Sequence, residues 1–533
     1  MKRILVLLAS LAVLASCGLS DAEVAASLEL SCEEDLSALP AEGGEVSVKV
    51  SFAGCRYYLS EDETADPFLG VRGILYGGSA TSSGYNYITV QYAANESEST
   101  RTSVLRVSSL DDASVCSTLK FTQLGQEKSS SDDSSSKGSV QVEVSTSEEF
   151  QTIEGWGCMN NWGDSNYLTN SEIDALFSTT KGIGLNILRI RISPTESNWK
   201  NVVASCKYAI EKYGALILAS PWSAPADMKD NGSLNGSTNG VYSHLSEDKY
   251  EEYALYLQKF AKYMKDNGAP LYAISVQNEP DWPATYEGCL WSGDQNCTFI
   301  REYGHLITDA LLTTGESLQM KSDFYKPLWS DERACENFDI VAGHIYGGGI
   351  HRFSDAQKLG KSVWMTEHLL NDSWSDTSTG HWTETMSFAQ EVNDCMNVDW
   401  NAYVWWYGKR YYSFIGDGEE GTESGEILKR GHVMGQYSLH VRPGSVRVGC
   451  SSTDDYVKAT SYICENHTVV VVLNTYASKS VAVGVIVDGG PGTSASATVT
   501  SAETNAHELD VKITSEAVVA QIPANSIATI IVE

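Results

Sequence analysis

The sequence has little positive charge, no closely spaced cysteine motif and no phosphate-binding glycine loop. Its 533 residues contain 37 Lys and Arg against 69 Asp and Glu, a formal net charge of −32. Because a polyanion would be repelled by this charge, nucleic acid is not expected as a partner. No CxxC motif or Cys/His cluster with zinc spacing is present, so we expect no metal site and no cofactor.

Long apolar runs are also missing, and the one at the N-terminus is short. The chain begins MKRILVLLASLAVLASC, with Lys2 and Arg3 before an apolar stretch at residues 4–14. A membrane-spanning helix needs roughly 20 apolar residues, so residues 1–17 are predicted to be an export signal. The run LASC resembles a bacterial lipobox, which implies a lipid on Cys17; an ordinary cleaved signal is the alternative. We expect an exported monomer anchored at the bacterial outer membrane or cell surface.

Cysteine number limits the possible disulfides. Eleven cysteines remain after Cys17, an odd number that cannot all pair within the chain. Export permits disulfides without requiring them. Cys289 and Cys297 flank one loop, and Cys450 and Cys464 form another local pair, so both pairs are candidate disulfides.

Composition separates an N-terminal module from the rest of the chain. Residues 127–139, EKSSSDDSSSKGS, hold almost no apolar side chains and are predicted to be a linker. Residues 25–126 alternate in runs such as EVSVKVSF and YNYITVQYAA, which predicts a small β-sandwich. The stretch NESESTRTSVLRVSS followed by LKFTQLG resembles the BACON modules of Bacteroidetes surface glycosidases. We expect this module to be a spacer, with carbohydrate binding as the alternative.

Residues 140–440 show short apolar strands alternating with helix-length amphipathic stretches. The clear strands are EGWGCMN, NILRIRIS, ALILASPWSAP, LYAISVQNEP, FDIVAGHIYG, SVWMTEH and NAYVWWYG, and LLTTGES is a faint eighth. This order predicts an (α/β)8 TIM barrel, because a doubly wound sheet of this size would be too large and lacks a phosphate loop. Residues 441–533 return to β alternation and are predicted to form a side β-sandwich, to which the first strand after residue 140 contributes.

Polar residues at the carboxyl ends of barrel strands face the mouth of a barrel. They are Arg191, Trp222, Asn278, Glu279, His344, Tyr346, Glu367, His368 and Trp406. Glu279 and Glu367 differ from the others because each directly ends an apolar strand, the fourth and the seventh, on different sides of the mouth. Two opposed carboxylates are the minimum equipment for hydrolysis of a glycosidic bond. The alternative is that each acid caps a helix or pairs with Arg191.

Several motifs resemble one family of enzymes. SVQNEPDW, VWMTEH and NAYVWWYGKRYYSF are similar to motifs of glycoside hydrolase family 30, subfamily 8, the clan A glucuronoxylan endo-xylanases. The resemblance covers residues from about 140 to 533. It implies that Glu279 is the acid/base and Glu367 the nucleophile. It also implies that Asn278 contacts the sugar 2-hydroxyl, that Trp222 stacks on a sugar and that Tyr346 hydrogen-bonds the nucleophile.

The two acids need different protonation states. A retaining reaction requires carboxyls about 5 Å apart, one ionised to attack and one protonated to donate. Repulsion across that gap raises the pKa of the more buried acid. We expect His368 and Tyr346 to keep Glu367 ionised, so Glu279 is predicted to be the proton donor, aimed by the turn at Pro280.

A second group of residues is predicted to set specificity. In the family, a tryptophan, an arginine and a tyrosine hold the carboxylate of a glucuronate branch, and the spacing assigns these to Trp406, Arg410 and Tyr412. An arginine fork can bind a carboxylate through two parallel bonds. Arg410 could instead pair with acids of the following loop; these acids are Asp417, Glu419 and Glu420. A further hydroxyl is expected from one of three residues, namely Ser373, Ser375 or Thr377.

The sequence therefore predicts a secreted retaining endo-β-1,4-xylanase that cleaves glucuronate-substituted xylan. One alternative is a xylanase of the same fold that acts on arabinoxylan or another β-glycan without dependence on glucuronate. Another is a non-catalytic surface glycan-binding lipoprotein. The presence of both Glu279 and Glu367 argues against the last, because a binding protein has no use for a desolvated acid pair.

Overall fold

The structure is a computed structural model that describes residues 25–533, except residues 33, 62–67, 73–75, 96, 98, 111, 113, 126–135, 162–166, 371, 372 and 374. The predicted signal with Cys17, and residues 127–135 of the predicted linker, lie outside the described residues. The chain divides into two compact units between residues 130 and 131. No helix in the described part of the chain combines the length and hydropathy of a membrane-spanning segment.

The N-terminal unit is an antiparallel sheet of six strands. They are β1 (Ser27–Cys32), β2 (Gly44–Glu61), β3 (Leu69–Arg72), β4 (Tyr76–Tyr92), β5 (Arg101–Ser109) and β6 (Cys116–Gln123). In β2 the side chains of Val46, Val48 and Val50 are buried while those of Glu45 and Ser47 are exposed. Successive strand residues point to opposite faces, so this alternation gives the sheet one apolar face. The strands predicted for residues 25–126 are therefore present in one hydrogen-bonded sheet, and the sandwich stays a prediction.

The second unit contains a parallel barrel and a mostly β domain. Its strands are β7 (Val140–Thr152), β8 (Gly155–Met159), β9 (Ile187–Ile192), β10 (Leu216–Pro221), β11 (Ser237–Thr238), β12 (Val241–Tyr242), β13 (Ala273–Ser275), β14 (Leu311–Thr313), β15 (Ile340–His344), β16 (Ser362–Glu367), β17 (Ala402–Tyr407), β18 (Val446–Ser452), β19 (Val457–Cys464), β20 (His467–Asn474), β21 (Val481–Val487), β22 (Ala495–Thr500), β23 (His507–Leu509), β24 (Val511–Ile513), β25 (Val518–Ile522) and β26 (Ser526–Val532). Strands β8 to β10 and β13 to β17 close the barrel. The predicted TIM barrel is confirmed, and the faint segment LLTTGES supplies β14.

Helices separate the barrel strands, as predicted. They are α1 (Asn170–Phe177), α2 (Lys200–Tyr213), α3 (Tyr250–Asp266), α4 (Gly293–Tyr303), α5 (Ser322–Trp329), α6 (Glu332–Glu336), α7 (Ser354–Lys358), α8 (His381–Asn397) and α9 (Lys429–Ser438), with 3-10 turns at Glu196–Asn198, Ala226–Met228, Glu247–Lys249 and Gly304–Leu306. In α3 the fully buried Tyr253, Leu257, Phe260 and Met264 recur at three and four residues. This spacing places one apolar stripe on the helix and directs it to the core.

The mostly β domain is built on a ten-stranded sheet. Strand β7 lies within it, antiparallel to β18 and parallel to β21, so the segment directly after the predicted linker belongs to this domain and not to the barrel. Two of the last residues of the predicted linker contact this domain. The backbone N–H of Ser139 donates to Ala482 O at 2.8 Å, and Lys137 forms an ion pair with Glu516 at 3.3 Å.

The barrel interior is apolar away from the mouth. Ile187, Leu218, Trp364 and Val404 are fully buried and form one cluster inside the ring of strands. Tyr272 stacks on Trp364 with ring centroids 5.7 Å apart. Such a packed layer leaves polar chemistry only at the strand ends, where the mouth opens.

The predicted disulfides are wrong. Cys289, Cys297, Cys450 and Cys464 are all present as free thiols. Burial raises the pKa of the Cys289 thiol to about 11 and that of Cys450 also to about 11. These thiols therefore stay protonated and behave as small apolar side chains.

Candidate active site

Glu279 follows β13 and has an unusual backbone conformation. Its φ is +44°, in the left-handed region that non-glycine residues rarely adopt. Its backbone N–H donates to Glu316 O at 3.0 Å, and Nδ1 of His344 lies 3.2 Å from its Oε1. Burial raises the pKa of Glu279, and the nearby Glu367 carboxylate adds to this rise against the opposing hydrogen bond with His344. The environment thus favours a protonated Glu279.

Glu367 is the last residue of β16 and receives two donors. Nη1 of Arg189 lies 2.5 Å from Glu367 Oε2, and the hydroxyl of Tyr346 donates to Oε1 at 2.9 Å. The hydrogen bond predicted between Tyr346 and Glu367 is therefore present. Because one donor is a guanidinium, the carboxylate is held in orientation by a charge-assisted bond.

The two acids are close together. A carboxylate oxygen of Glu279, a carboxylate oxygen of Glu367 and a ring nitrogen of His344 all lie within 4.8 Å of one another. Such proximity suits attack and proton donation on one glycosidic bond. Burial alone would lower the pKa of His344, but the carboxylates of Glu367, Glu279 and Glu316 outweigh it and raise the pKa to about 9. A protonated imidazole has no lone pair for a metal ion, so these residues fit acid–base chemistry better than metal binding.

Asn278 and Trp222 surround the same arginine. Nη2 of Arg189 donates to Asn278 Oδ1 at 2.7 Å, and the Arg189 guanidinium lies 4.7 Å from the centre of the Trp222 ring. Trp222 also contacts Trp406, with ring centroids 6.0 Å apart. Trp222 is only 3% exposed, so little of its surface is available to a sugar.

Comparison with known proteins identifies this arrangement. Residues 186–303 match the model of the glycosyl hydrolase family 30 TIM-barrel domain. The glucuronoxylanase XynC of Bacillus subtilis (strain 168) is 33% identical over 399 residues, which cover 73% of this chain and 91% of that protein. The chain belongs to glycoside hydrolase family 30. It is a glycoside hydrolase.

Solved family 30 structures agree with this assignment. A family 30 subfamily 8 xylanase from Clostridium acetobutylicum superposes with a TM-score of 0.66 and 30% identity, covering 73% of this chain and 99% of that chain. A family 30 endoxylanase from Clostridium papyrosolvens C71 superposes with a TM-score of 0.65 and 30% identity, covering 74% and 100%. The superposed portion is large enough to include the whole barrel of this family 30 enzyme.

The residues predicted to bind glucuronate lie at the end of β17 and in the loop after it, and their arginine is already paired. Nη1 of Arg410 donates to Asp417 Oδ2 at 3.0 Å and to Glu419 Oε2 at 3.2 Å. Trp406 is half-buried and stacks on Tyr407, and Tyr412 is buried. The ion pairs considered as the alternative for Arg410 are therefore present.

Two of the three hydroxyl candidates support this acidic loop. The hydroxyls of Ser375 and Thr377 each donate to the carbonyl of Glu420 at 2.9 Å. Glu420 itself has φ +49°, a conformation that such contacts help to hold. The loop is thus fastened at its backbone as well as through Arg410.

Two residues considered as partners of the central acids contact other carboxylates. Nδ1 of His368, which was predicted to support Glu367, lies 2.8 Å from Glu391. Arg191, the alternative partner of the two acids, forms a bidentate pair with Glu287 at 2.7 Å.

Sequence reasoning missed Arg189 and Glu316. Both are fully buried at the centre, and they form an ion pair of 3.1 Å. The strand ILRIRI offered a signal, because its two arginines stand two residues apart and therefore share one face of β9. A buried arginine requires an anionic partner, so that strand alone pointed to a carboxylate inside the barrel.

Proposed function

We propose that this enzyme is a retaining endo-β-1,4-xylanase that cleaves glucuronate-substituted xylan by double displacement. The observation that carries the proposal is the pair Glu279 and Glu367, with carboxylate oxygens within 4.8 Å at the end of the barrel strands. Retaining glycosidases hold their carboxyls at roughly 5–5.5 Å, whereas inverting ones leave more room for a water molecule. The similarity to a glucuronoxylanase and to family 30 xylanases supports xylan as the substrate.

The proposed mechanism gives one step to each acid. Glu279 gives its proton to the glycosidic oxygen as the bond from that oxygen to the anomeric carbon breaks, and Glu367 attacks this carbon to form a glycosyl ester. Glu279 then takes a proton from water, whose oxygen attacks the same carbon and releases Glu367. Arg189 and Tyr346 orient the nucleophile. Asn278, fixed by Arg189, is proposed to contact the 2-hydroxyl.

Recognition of glucuronate is proposed for Trp406, Arg410 and Tyr412. A single arginine can bind a branch carboxylate although the whole chain is strongly acidic, since salt screens distant charges beyond about 8 Å. Asp417 and Glu419 both accept from Nη1 of Arg410, at 3.0 and 3.2 Å, so the branch carboxylate would compete with two acids for this guanidinium.

The same ion pairs favour a second candidate function. If Arg410 keeps its acidic partners, the enzyme cleaves xylan, including arabinoxylan, without dependence on glucuronate. A non-catalytic glycan-binding role is not supported, because Glu279 and Glu367 are both retained, buried and hydrogen-bonded.

Three further assignments are proposals based on sequence. The motifs place the enzyme with subfamily 8, and residues 25–126 are proposed to be a BACON-like sandwich that acts as a spacer. The basic N-terminus, the short apolar stretch and the LASC run support export and a lipid on Cys17. We expect a monomer at the outer membrane or cell surface, with xylan as its polysaccharide partner.

One experiment separates the candidate functions. Purified enzyme is incubated with glucuronoxylan, with neutral arabinoxylan and with β-1,6-glucan, and the products are sized. Shortening of glucuronoxylan at a much higher rate than arabinoxylan is expected for the first function. Equal rates on both xylans indicate the second, and cleavage of β-1,6-glucan alone contradicts both. Retention is read from the anomeric configuration of the first product by NMR.

A further inference from the structure

Beneath the two proposed catalytic acids lies a third carboxylate. Glu316 follows β14 and is fully buried. Its backbone is part of the acid site: the N–H of Glu316 donates to Gln277 O at 2.8 Å, and its carbonyl accepts the N–H of Glu279 at 3.0 Å. Glu316 therefore borders Glu279 through the main chain, and its side chain lies among the charged groups of the barrel centre.

The side chain of Glu316 is shared between two cations. Its Oε1 accepts from Arg189 Nη2 at 3.1 Å and lies 3.7 Å from His344 Nε2. Each of these cations also touches one acid of the reacting pair. Arg189 donates to Glu367 at 2.5 Å, and Nδ1 of His344 is 3.2 Å from Glu279.

Charge balance explains why a third acid is needed. In the proposed mechanism Glu279 enters as the proton donor and Glu367 as the attacking carboxylate, so this pair carries one negative charge beside the two cations Arg189 and His344. Without Glu316 one positive charge would remain uncompensated among fully buried groups, which is costly in a low-dielectric interior. The charged or titratable groups facing His344 are Glu279, Glu316, Glu367, Arg189 and Tyr346. Those facing Glu316 are Arg189, His344 and Tyr325.

We propose that Glu316 is a positioning residue for the hydrolytic reaction, which holds Arg189 and His344 in place and through them aligns Glu367 and Glu279. This inference rests on the proposed two-carboxylate mechanism. Glu316 makes no contact with substrate, because it has no exposed surface. Its influence reaches the reacting atoms only through the two cations.

The test is Glu316→Gln in the full chain, since glutamine keeps the shape and removes the charge. We expect kcat on xylan to fall about ten- to a hundredfold, the usual effect of losing a charge-assisted bond, with KM changed less than about twofold. Loss of a negative charge 3.7 Å from His344 also lowers the pKa of that imidazole from about 9. Histidine-selective NMR titration measures this shift without substrate, so it remains informative even if xylan is not the substrate.

A matched control is Glu154→Gln. Glu154 is a partly buried acid that accepts from Trp364 Nε1 at 2.7 Å, just before β8 at the opposite end of the barrel. This variant should keep the parental kcat and the parental pKa of His344. If Glu316 were only a structural buried acid, the two variants would have the same kcat and the same pKa of His344.

Two outcomes would overturn the inference. One is a folded Glu316→Gln enzyme in which kcat and the pKa of His344 are both the same as in the parent enzyme. If glutamine prevents folding, Glu316→Asp replaces it, because aspartate retains the charge. A folded Glu316→Asp enzyme in which His344 titrates like an ordinary imidazole would then contradict the proposed charge coupling.

Discussion

Two charged pockets at the barrel mouth are neutralised in different ways. At the centre, the carboxyl groups of Glu279, Glu316 and Glu367 lie against Arg189 and His344, and both cations are fully buried on barrel strands. In the loop after β17, Arg410 is 34% exposed at its side chain and is balanced by Asp417 and Glu419 of the same loop. Strand ends are fixed by the hydrogen bonds of the barrel, whereas a loop can be rearranged without disturbing them. We therefore expect the barrel to determine the reaction and the loop to determine which xylan is preferred.

The largest effect is expected at the centre. Glu367→Gln and Glu279→Gln should each reduce kcat on xylan by several orders of magnitude, because each removes one partner of a covalent mechanism. Circular dichroism should show an intact fold for both. A Glu367→Gln enzyme that retains more than about a tenth of the parental rate would contradict the assigned nucleophile.

A second effect is the pH dependence of stability at the centre. The folded-state pKa of His344 is raised from 6.5 to about 9, so its protonation stabilises the fold fully below pH 6.5, and this contribution is lost as pH rises through 9. The shift corresponds to about 3 kcal/mol. Urea unfolding between pH 6 and 10 measures it. The free energy of unfolding should change with pH much less in His344→Gln than in the parent enzyme. An identical pH dependence in both proteins would exclude His344 as its source.

The loop pocket should respond more weakly and selectively. Arg410→Ala is expected to lower kcat/KM on glucuronoxylan about ten- to a hundredfold and to leave neutral arabinoxylan nearly unchanged, if glucuronate displaces the acids from Arg410. Asp417→Asn with Glu419→Gln is the matched opposite change and should raise the preference for glucuronoxylan. Equal losses on both xylans in Arg410→Ala would show that this arginine only supports the loop.

The smallest effect is expected from removal of the N-terminal unit. The chain divides between residues 130 and 131, and within the second unit Ser139 is hydrogen-bonded to Ala482. Residues 136–533 should therefore express as a folded protein and hydrolyse soluble xylan within about twofold of the parental rate. Failure to fold would mean that the N-terminal unit contributes to the stability of the barrel.

The centre was predictable where a residue directly ends an apolar strand. Glu279 and Glu367 were found in this way, and all eight barrel strands were recognised from apolar runs between amphipathic segments. Glu316 was missed because its segment, LLTTGES, is a faint apolar run, and the acid stands inside that run and not after a clearly recognised strand. Its importance depends on proximity to Arg189 and His344, which come from two other strands and meet it only when the barrel closes.

Side-chain pairing was the least predictable feature. His368 follows the nucleophile in sequence but contacts Glu391, because the strand directs alternate side chains to opposite faces. Cys289 and Cys297 are eight positions apart, yet spacing says nothing about the direction of their side chains, and both are free thiols. The pairing of Arg410 was left open between a ligand and three acids, since flexible loop contacts depend on the whole loop conformation.

The backbone of Glu279 has a consequence for protein design. A non-glycine residue with φ of +44° carries about 1–2 kcal/mol of strain, which surrounding structure must hold. Two backbone hydrogen bonds to the ends of the two neighbouring strands provide this support. The N–H of Asn278 donates to Pro221 O at 2.9 Å, and the N–H of Glu279 donates to Glu316 O at 3.0 Å. Grafting this proton donor into another barrel would therefore require transfer of three adjacent strand ends, whereas exchange of the loop of Arg410 would involve that loop and the segment of Ser375 and Thr377 that bonds to it.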